Sequence, residues 1–92
     1  MGFRVIYHPA FAGEDLPRIP ADLRGRIARA IETRLTTAPE RYGRPLRGTL
    51  RGYWKLRVGD YRVVFKPTGD DVRILAIRHR RDVYDASTRR PQ

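Results

Sequence analysis

The sequence has no cysteine and only two histidines, and both shortages exclude kinds of chemistry. Without cysteine the chain cannot form a disulfide scaffold, a thiolate nucleophile or a cysteine-ligated zinc site. His8 and His79 lie far apart, so we expect no metal and no cofactor. No apolar run approaches membrane-spanning length, and the N-terminus lacks the pattern of a signal peptide. These features favour a cytoplasmic protein that does not enter membranes.

Arginine is the residue that the sequence has in excess. Twenty basic residues against ten acidic ones give a net charge of +10. Only Lys55 and Lys66 are lysines, which leaves 20 − 2 = 18 arginines. The part after Leu46 has twelve basic and five acidic residues (+7), against eight and five (+3) before it. This excess favours a polyanionic partner such as nucleic acid, an anionic membrane or an acidic protein, although a solvated arginine-rich surface would have the same composition.

Hydrophobic patterning in the first half predicts one strand and two helices. Residues 3–7 form a short β-branched and aromatic run, which is typical of a strand. A weak helix is expected after Pro9, and a second begins at Pro20, a residue suited to the first helical position. The second helix has one apolar stripe at spacings of three and four, made of Leu23, Ile27, Ala30, Ile31 and Leu35. Residues 38–52 are predicted to be a long ordered loop.

Three strands are predicted in the second half, at residues 53–58, 61–66 and 72–77. Gly59-Asp60 suits a type II′ turn between the first two, whose residues Trp54, Leu56, Val63 and Phe65 are expected in the core. The order β-α-α-β-β-β predicts a single α+β domain over residues 1–92. We expect a mainly antiparallel sheet with the two-helix hairpin packed on one face. Residues 88–92 are expected to be a flexible tail.

Basic residues of these strands are expected to converge on one solvated face of the sheet. Lys55 and Arg57 share a face of one strand, Arg62 follows the turn, and residues 78–81 end the last strand ahead of Tyr84. Arginine forks match phosphate oxygens, and tyrosine or histidine can stack on RNA bases or move protons. Metal-independent cleavage of a phosphodiester is compatible with these residues. A non-catalytic nucleic-acid-binding face needs the same residue types, so both interpretations stay open.

Three segments carry a more specific signal: Leu46-Arg47-Gly48, residues 54–65 (WKLRVGDYRVVF) and residues 78–84 (RHRRDVY). In this order they resemble the RelE/ParE toxin superfamily of bacterial type II toxin–antitoxin systems, and the resemblance extends over nearly the whole chain. It implies a small, metal-independent endoribonuclease that cuts mRNA in the ribosomal A-site and so inhibits translation. It also implies a cognate antitoxin as partner, and a toxin–antitoxin complex that binds operator DNA through the antitoxin.

The resemblance also assigns roles to individual residues. Lys55 matches a lysine that assists deprotonation or stabilises charge, and Arg62 an arginine that contacts the scissile phosphate. Arg80 matches a C-terminal arginine that acts as acid or charge stabiliser, with Arg78 as the alternative. Tyr84 matches a tyrosine that stacks on the substrate base or orients the nucleophile. The remaining residues are assigned to RNA binding: Arg47, Arg57, Arg78, His79 and Arg81.

Two other functions stay open at this point. A ParE-like toxin would share the fold and inhibit DNA gyrase, although that branch generally lacks the set Lys55, Arg62, Arg80 and Tyr84. A toxin-derived module without activity would act only by binding its partner. The second possibility is kept because Tyr53 stands where the best-studied pattern has another lysine.

Overall fold

The computed structural model describes residues 2–90, and five strands of this segment form a single sheet. Among these residues no helix is long and apolar enough to cross a membrane. In chain order the elements are β1 (Arg4–Tyr7), an irregular helical segment (Phe11–Asp15 and Leu16–Arg18), α1 (Ala21–Ala30, extended by a π-type turn at Ile31–Leu35), α2 (Pro39–Tyr42), β2 (Arg44–Pro45), a 3₁₀ turn (Gly48–Leu50), β3 (Trp54–Val58), β4 (Tyr61–Thr68), β5 (Asp71–His79) and α3 (Val83–Arg89).

The strands lie in the order β1-β5-β4-β3-β2, and only the β1–β5 pair is parallel. The expected mainly antiparallel α+β architecture is therefore confirmed. Gly59 has φ +58°, and no non-glycine residue of the described segment has positive φ. Because a type II′ turn needs positive φ only at its first central residue, Gly59-Asp60 fits the turn predicted from the sequence.

One face of the sheet, which we call the α1 face, holds the larger hydrophobic core. The predicted stripe of α1 packs against it: Ile27, Ile31 and Leu35 are buried, and Leu23 and Ala30 are partly buried there. Leu56, Val63 and Phe65 contribute the strand side of this core, with Trp54 at its margin, as the alternation of β3 and β4 predicts. The apolar stripe of α1 is thus the side of the helix that packs against the sheet.

The opposite face, which we call the α3 face, is partly covered by a helix that was not predicted from the sequence. Helix α3 packs there on β4 and β5. Val83 of α3 joins a second hydrophobic cluster with Val64, Leu75 and Ala76. An irregularity at Val64/Phe65 lets Val64 pair with Ala76 and Phe65 with Ile74, so Leu75 has no direct partner in β4. Such a bulge gives both Leu75 and Ala76 access to the face that α3 covers.

Several predicted boundaries are wrong. β4 extends to Thr68 and β5 spans Asp71–His79, because their pairing continues from Tyr61↔His79 to Thr68↔Asp71. The predicted loop at 38–52 contains α2, β2 and a 3₁₀ turn. The helix expected after Pro9 is the irregular segment at 11–18. The tail predicted at 88–92 is helical through Arg89 and buried at Arg90, and its last two residues lie outside the described segment.

A buried carboxylate explains why the C-terminal segment is ordered. Asp15 is completely buried beside β5, where it accepts hydrogen bonds from the Ile77 amide (2.9 Å) and from Arg78 Nε (2.6 Å). Arg90 donates to both oxygens of Asp15, at 2.9 Å from Nη1, and also to the Leu75 carbonyl. One aspartate therefore joins the irregular helical segment, β5 and the residue that follows α3.

Asp15→Asn tests the energetic importance of this cluster. The substitution keeps the shape of the side chain and removes the counter-charge of two buried guanidinium groups. Breaking a buried ion pair by removing one partner costs about 3–5 kcal/mol, and we expect a loss of this size in the free energy of unfolding, measured in urea. The control Asp71→Asn breaks the more exposed ion pair with Arg4. It should change the free energy of unfolding by no more than about 1 kcal/mol. Equal effects of the two variants would contradict this role of Asp15.

The same cluster makes the stability of the folded protein depend on pH. Burial by itself would raise the pKa of Asp15, but the hydrogen bonds from Arg90, the Ile77 amide and Arg78 outweigh it and lower the pKa. A carboxyl with a lowered folded pKa stabilises the protein fully above its unfolded pKa, about 4, and loses that contribution as pH falls through the folded pKa. The stability difference between wild type and Asp15→Asn should therefore shrink below about pH 4.

Candidate functional site

Three arginines form a row across the α3 face. Arg57 of β3 lies directly opposite Arg62 of β4, and Arg62 lies directly opposite Arg78 of β5. Like charges opposite one another destabilise a sheet unless other groups compensate for them. The three residues differ in exposure: Arg57 is exposed, whereas Arg62 and Arg78 are 9% and 7% exposed. The expectation that all of them lie on a solvated face is wrong for Arg62 and Arg78.

Arg78 is neutralised within the chain. Its Nε lies 2.6 Å from Asp15 Oδ1, and its Nη2 lies 3.8 Å from Glu14 Oε1. The guanidinium is thus held in a buried ion pair. This arrangement gives Arg78 a clear structural role at the seam between β5 and the irregular helical segment.

Arg62 is held in place by neutral groups instead. Its Nη1 donates to the carbonyl oxygens of Gly59 (2.8 Å) and Tyr61 (3.0 Å). Among residues 2–90 no carboxylate lies within ion-pair distance of Arg62, and its Nε and Nη2 have no acceptor in that segment. The Nε–Nη2 edge is one that can bind a phosphate through two parallel hydrogen bonds. Arg62 is therefore a fixed cation without a counter-charge from the described chain.

Lys55 lies next to this row on the same face. It is half-buried and pairs with Val64 of β4 on one side and with Arg44 of β2 on the other. The other lysine, Lys66, places its ammonium 5.4 Å from the ring centroid of Tyr53. Burial raises the pKa of Tyr53 despite the opposing charge of Arg73. Tyr53 is thus a neutral phenol at neutral pH and cannot take over the charge of a lysine.

The Gly59-Asp60 turn brings a second predicted residue close to Arg62. The Arg80 amide donates to the Asp60 carbonyl (2.8 Å), while Arg62 binds the neighbouring Gly59 carbonyl. The side chains of Arg80 and Arg81 are exposed, and so is that of Arg47 at the start of the 3₁₀ turn. Arg80 is therefore an accessible cation beside the turn, in contrast to the buried Arg78.

The structure separates His79 from the other predicted site residues. His79 pairs with Tyr61, whose ring belongs to the core on the α1 face, and the two rings meet edge to face with centroids 5.7 Å apart. Directly opposite residues of a sheet share a face, so His79 points away from Lys55 and Arg62. The sequence contains the signal for this separation. Arg78 and His79 are consecutive residues of β5, and consecutive side chains of a strand point to opposite faces.

Tyr84 lies on α3, the helix that packs on β4 and β5. Its side chain is 38% exposed, while the neighbouring Val83 is completely buried in the second hydrophobic cluster. α3 contacts β5, β4 and the 3₁₀ turn that follows Arg47. The helix therefore presents Tyr84 at the surface while it packs against β4, the strand that carries Arg62.

The comparisons with known proteins agree with this architecture. Residues 3–84 match the family described as ParE toxin of type II toxin–antitoxin system. The chain belongs to this toxin family. Toxin RelE of Mycobacterium tuberculosis is 36% identical over 93 residues, which covers 94% of each protein. The resemblance to the RelE/ParE superfamily is thereby confirmed, and the protein is the toxin component of a type II system.

Solved structures show the same fold. A chain of a RelBE toxin–antitoxin complex from M. tuberculosis superposes with a TM-score of 0.78 at 27% identity, covering 86% of this chain and 99% of that one. A chain of the RelB–RelE complex of Methanococcus jannaschii gives a TM-score of 0.67 at 26% identity, covering 87% and 95%. Both neighbours are complexes of a toxin with an antitoxin.

Sequence reasoning missed Asp15 and Arg90, the pair that docks α3 on the sheet. Asp15 lies in a polar stretch with Glu14, and Arg90 in a stretch interpreted as a tail. The available signal was indirect: Val83 and Ser87 lie four residues apart and are both completely buried on one side of α3. This spacing predicts a helix that packs through one face. The partners of the two charged residues follow only from the fold.

Arg90→Gln should loosen α3. A seven-residue helix is too short to be stable alone, so α3 depends on Val83, Ser87 and Arg90 for its position. We expect faster amide hydrogen exchange over residues 83–89, with little change in β3 and β4, measured by mass spectrometry. The control Arg89→Gln removes the same charge from an exposed position paired only with Asp85. Equal exchange of α3 in both variants would exclude Arg90 as its anchor.

Proposed function

We propose that this toxin is a metal-independent endoribonuclease that cuts mRNA in the ribosomal A-site. The observation that carries the proposal is the pair Lys55 and Arg62, two cations on neighbouring strands of the α3 face. Among residues 2–90 neither has a carboxylate within ion-pair distance. Cations held together in this way repel one another unless an anion lies between them. A scissile phosphate is such an anion.

The reaction follows from the chemistry of RNA. The 2′-oxygen attacks phosphorus, an O2′–P bond forms, the P–O5′ bond breaks, and the 2′ proton leaves while the 5′-oxygen gains one. The products end in a 2′,3′-cyclic phosphate and a 5′-hydroxyl. Among residues 2–90 no group of three or more His, Asp or Glu side chains could hold a metal ion, so side-chain cations are proposed to stabilise the developing charge.

Each proposed residue has a place in this reaction. Arg62 binds the non-bridging phosphate oxygens through its Nε–Nη2 edge. Lys55 stabilises the 2′-oxygen as it loses its proton. Arg80 is proposed in preference to Arg78 at the leaving 5′-oxygen, because Arg78 is buried and paired with Asp15. Tyr84 stacks on a base of the substrate or orients the nucleophile.

RNA binding is assigned to exposed cations around this centre. Arg57 extends the row to the sheet edge, and Arg47 and Arg81 lie in the loops near α3. Arg78, which was assigned to RNA binding from the sequence, is buried and neutralised by Asp15, so no direct RNA contact is proposed for it. His79 faces the other side of the sheet, so it can contact RNA only outside the reacting segment.

A cognate antitoxin is the proposed protein partner. The structural neighbours are complexes with antitoxins, and a net charge of +10 favours an acidic segment that covers the basic face. Binding to operator DNA would be a property of the complex, through the antitoxin, because the antitoxin would cover the basic face of the toxin. The cytoplasm, which contains the ribosomes, is the proposed location.

Substitution of Lys55 and Arg62 tests the assignment. In a translating extract, Arg62→Ala should lower A-site cleavage by about 10²–10³-fold, because a preorganised cation facing developing charge contributes about this much. Lys55→Ala should lower it by about 10²–10⁴-fold if Lys55 serves the nucleophile. The matched control is Lys66→Ala, which removes the other lysine from its place over Tyr53 and should cut at nearly the wild-type rate.

Folding is checked separately, since Arg62 is buried. The thermal unfolding midpoint and capture by the antitoxin should be close to wild type for Lys55→Ala. Trp54→Ala serves as the destabilised reference, because loss of a large ring packed at the core costs about 3–5 kcal/mol. A folded Lys55→Ala protein that cuts at the wild-type rate would refute its catalytic role, and wild-type cleavage abolished by EDTA with intact ribosomes would refute metal independence.

Tyr84→Phe separates the two roles of the tyrosine. The variant keeps the ring and loses the hydroxyl, so a stacking role predicts nearly unchanged cleavage and a proton-linked role predicts a large loss. The relevant measurement is the single-turnover cleavage rate on programmed ribosomes. Because the side chain is partly exposed on α3, we expect no significant change in stability.

Inhibition of DNA gyrase is the second candidate function. The family that matches this chain is described as ParE toxin. The resemblance to the RelE/ParE superfamily associates ParE-like toxins with inhibition of gyrase. A supercoiling assay with purified gyrase distinguishes the two candidates. Inhibition of supercoiling without mRNA cleavage would favour gyrase, and cleavage without inhibition would favour the nuclease.

A further inference from the structure

A second basic surface lies outside the candidate site, between α1 and the edge of β3. A cleft of about 220 Å³ opens there, lined by Arg26, Arg29, Arg34 and Arg57 together with Ala30, Thr33, Val58 and Gly59. Among the residues that the structure describes, no carboxylate lines the cleft. Among residues 2–90 none of these arginines forms an ion pair. We call it the arginine groove.

The fold explains why the groove exists. Arg26 and Arg29 lie off the apolar stripe that buries α1, so their side chains point outward. The guanidinium of Arg26 approaches the Gly59 turn, where Nη1 would lie 3.5 Å from a Cβ at that position. In the described part of the chain no strand pairs with the outer side of β3 beyond Lys55, because β2 pairs only with Trp54 and Lys55. The strand edge and the helix therefore form the two walls.

Arg57 connects this groove with the candidate site. It lines the groove, and it is also the outer member of the row that continues to Arg62. A polyanion bound at Arg62 can therefore continue around the sheet edge without meeting a carboxylate of the lining. Arg34, at the other end, lies 5.8 Å from the ring centroid of Tyr42, whose side chain is 50% exposed.

The lining favours a nucleic-acid backbone over a peptide. Apolar anchors supply most of the affinity at protein interfaces, and here the apolar side chains are a half-buried alanine and Val58, which is 7% exposed. Phosphate contacts need only cations. The half-exposed ring of Tyr42 adds a surface on which a base can stack.

We propose that the arginine groove binds the phosphate backbone of the substrate RNA strand, outside the segment that is cleaved. This inference rests on the proposed function, because it requires the strand to reach the α3 face. The groove then fixes the register of the strand, while Lys55 and Arg62 act on the scissile phosphate.

Salt-dependent binding tests the proposal without any cleavage. The probe is a fluorescent single-stranded 2′-O-methyl RNA, which lacks the attacking hydroxyl, and its affinity for the full chain is measured at several salt concentrations. Each phosphate contact contributes about 0.7 to the slope of log K against log salt for a single strand. The double variant Arg26→Gln/Arg29→Gln should therefore lower the slope by about 1.4. The control Arg18→Gln/Arg41→Gln removes two exposed arginines elsewhere and should lower it by much less.

Every other outcome overturns the proposal. Equal slopes for the two double variants would mean that net charge alone matters. Unchanged oligonucleotide binding with weaker binding to the small ribosomal subunit would assign the groove to ribosomal RNA. Unchanged RNA binding with weaker antitoxin capture would assign it to an acidic peptide. These experiments measure binding and not cleavage. They therefore test the arginine groove even if the toxin proves not to be a nuclease.

Discussion

The ion pairs of Asp15 are the constraint on which the rest of the structure depends. A fully buried carboxylate is costly unless opposite charges and hydrogen-bond donors surround it. Here Arg78 and Arg90 supply the charges, and the Ile77 amide supplies a further hydrogen bond. The Ile77 amide would otherwise be an unpaired group of β5, since β1 pairs only with its residues 71–74. The Asp15 side chain thus satisfies the Ile77 amide, neutralises the buried Arg78 and anchors Arg90, the residue after α3.

The backbone around the Gly59-Asp60 turn determines the character of the candidate site. Arg62 is buried, and the carbonyls of Gly59 and Tyr61 fix the orientation of its guanidinium, which is the preorganisation that stabilising a developing charge requires. Asp15 also makes the environments of Arg78 and Arg80 different, because it neutralises the buried Arg78, whereas Arg80 is exposed. A segment remote in sequence, at residues 14–15, therefore decides which arginines remain available to an anion.

Local patterns were sufficient to predict four of the five strands in the described sheet and α1, but not β2 or the charged cluster. Alternation in residues 53–65 placed Trp54 and Leu56 on the core side, and the Gly59-Asp60 pair indicated the turn, because both signals depend on neighbouring residues only. Asp15 and Arg90 are 75 positions apart, and no periodicity connects them. The tail was misjudged for this reason: its order comes from an ion pair whose partner lies near the other end of the chain.

The distribution of counter-charges explains why such a small basic protein can be a toxin and a stable domain at once. The ion pairs of the described segment concentrate at the seam around Asp15, where they hold the fold together. The row at Arg57 and Arg62 and the arginine groove receive none of them. Ion pairs therefore stabilise the β5 side of the arginine row, and unbalanced positive charge remains on its β4 and β3 side. Any polyanion that binds there relieves repulsion already present in the free chain, which favours both a nucleic-acid substrate and an acidic partner that blocks it.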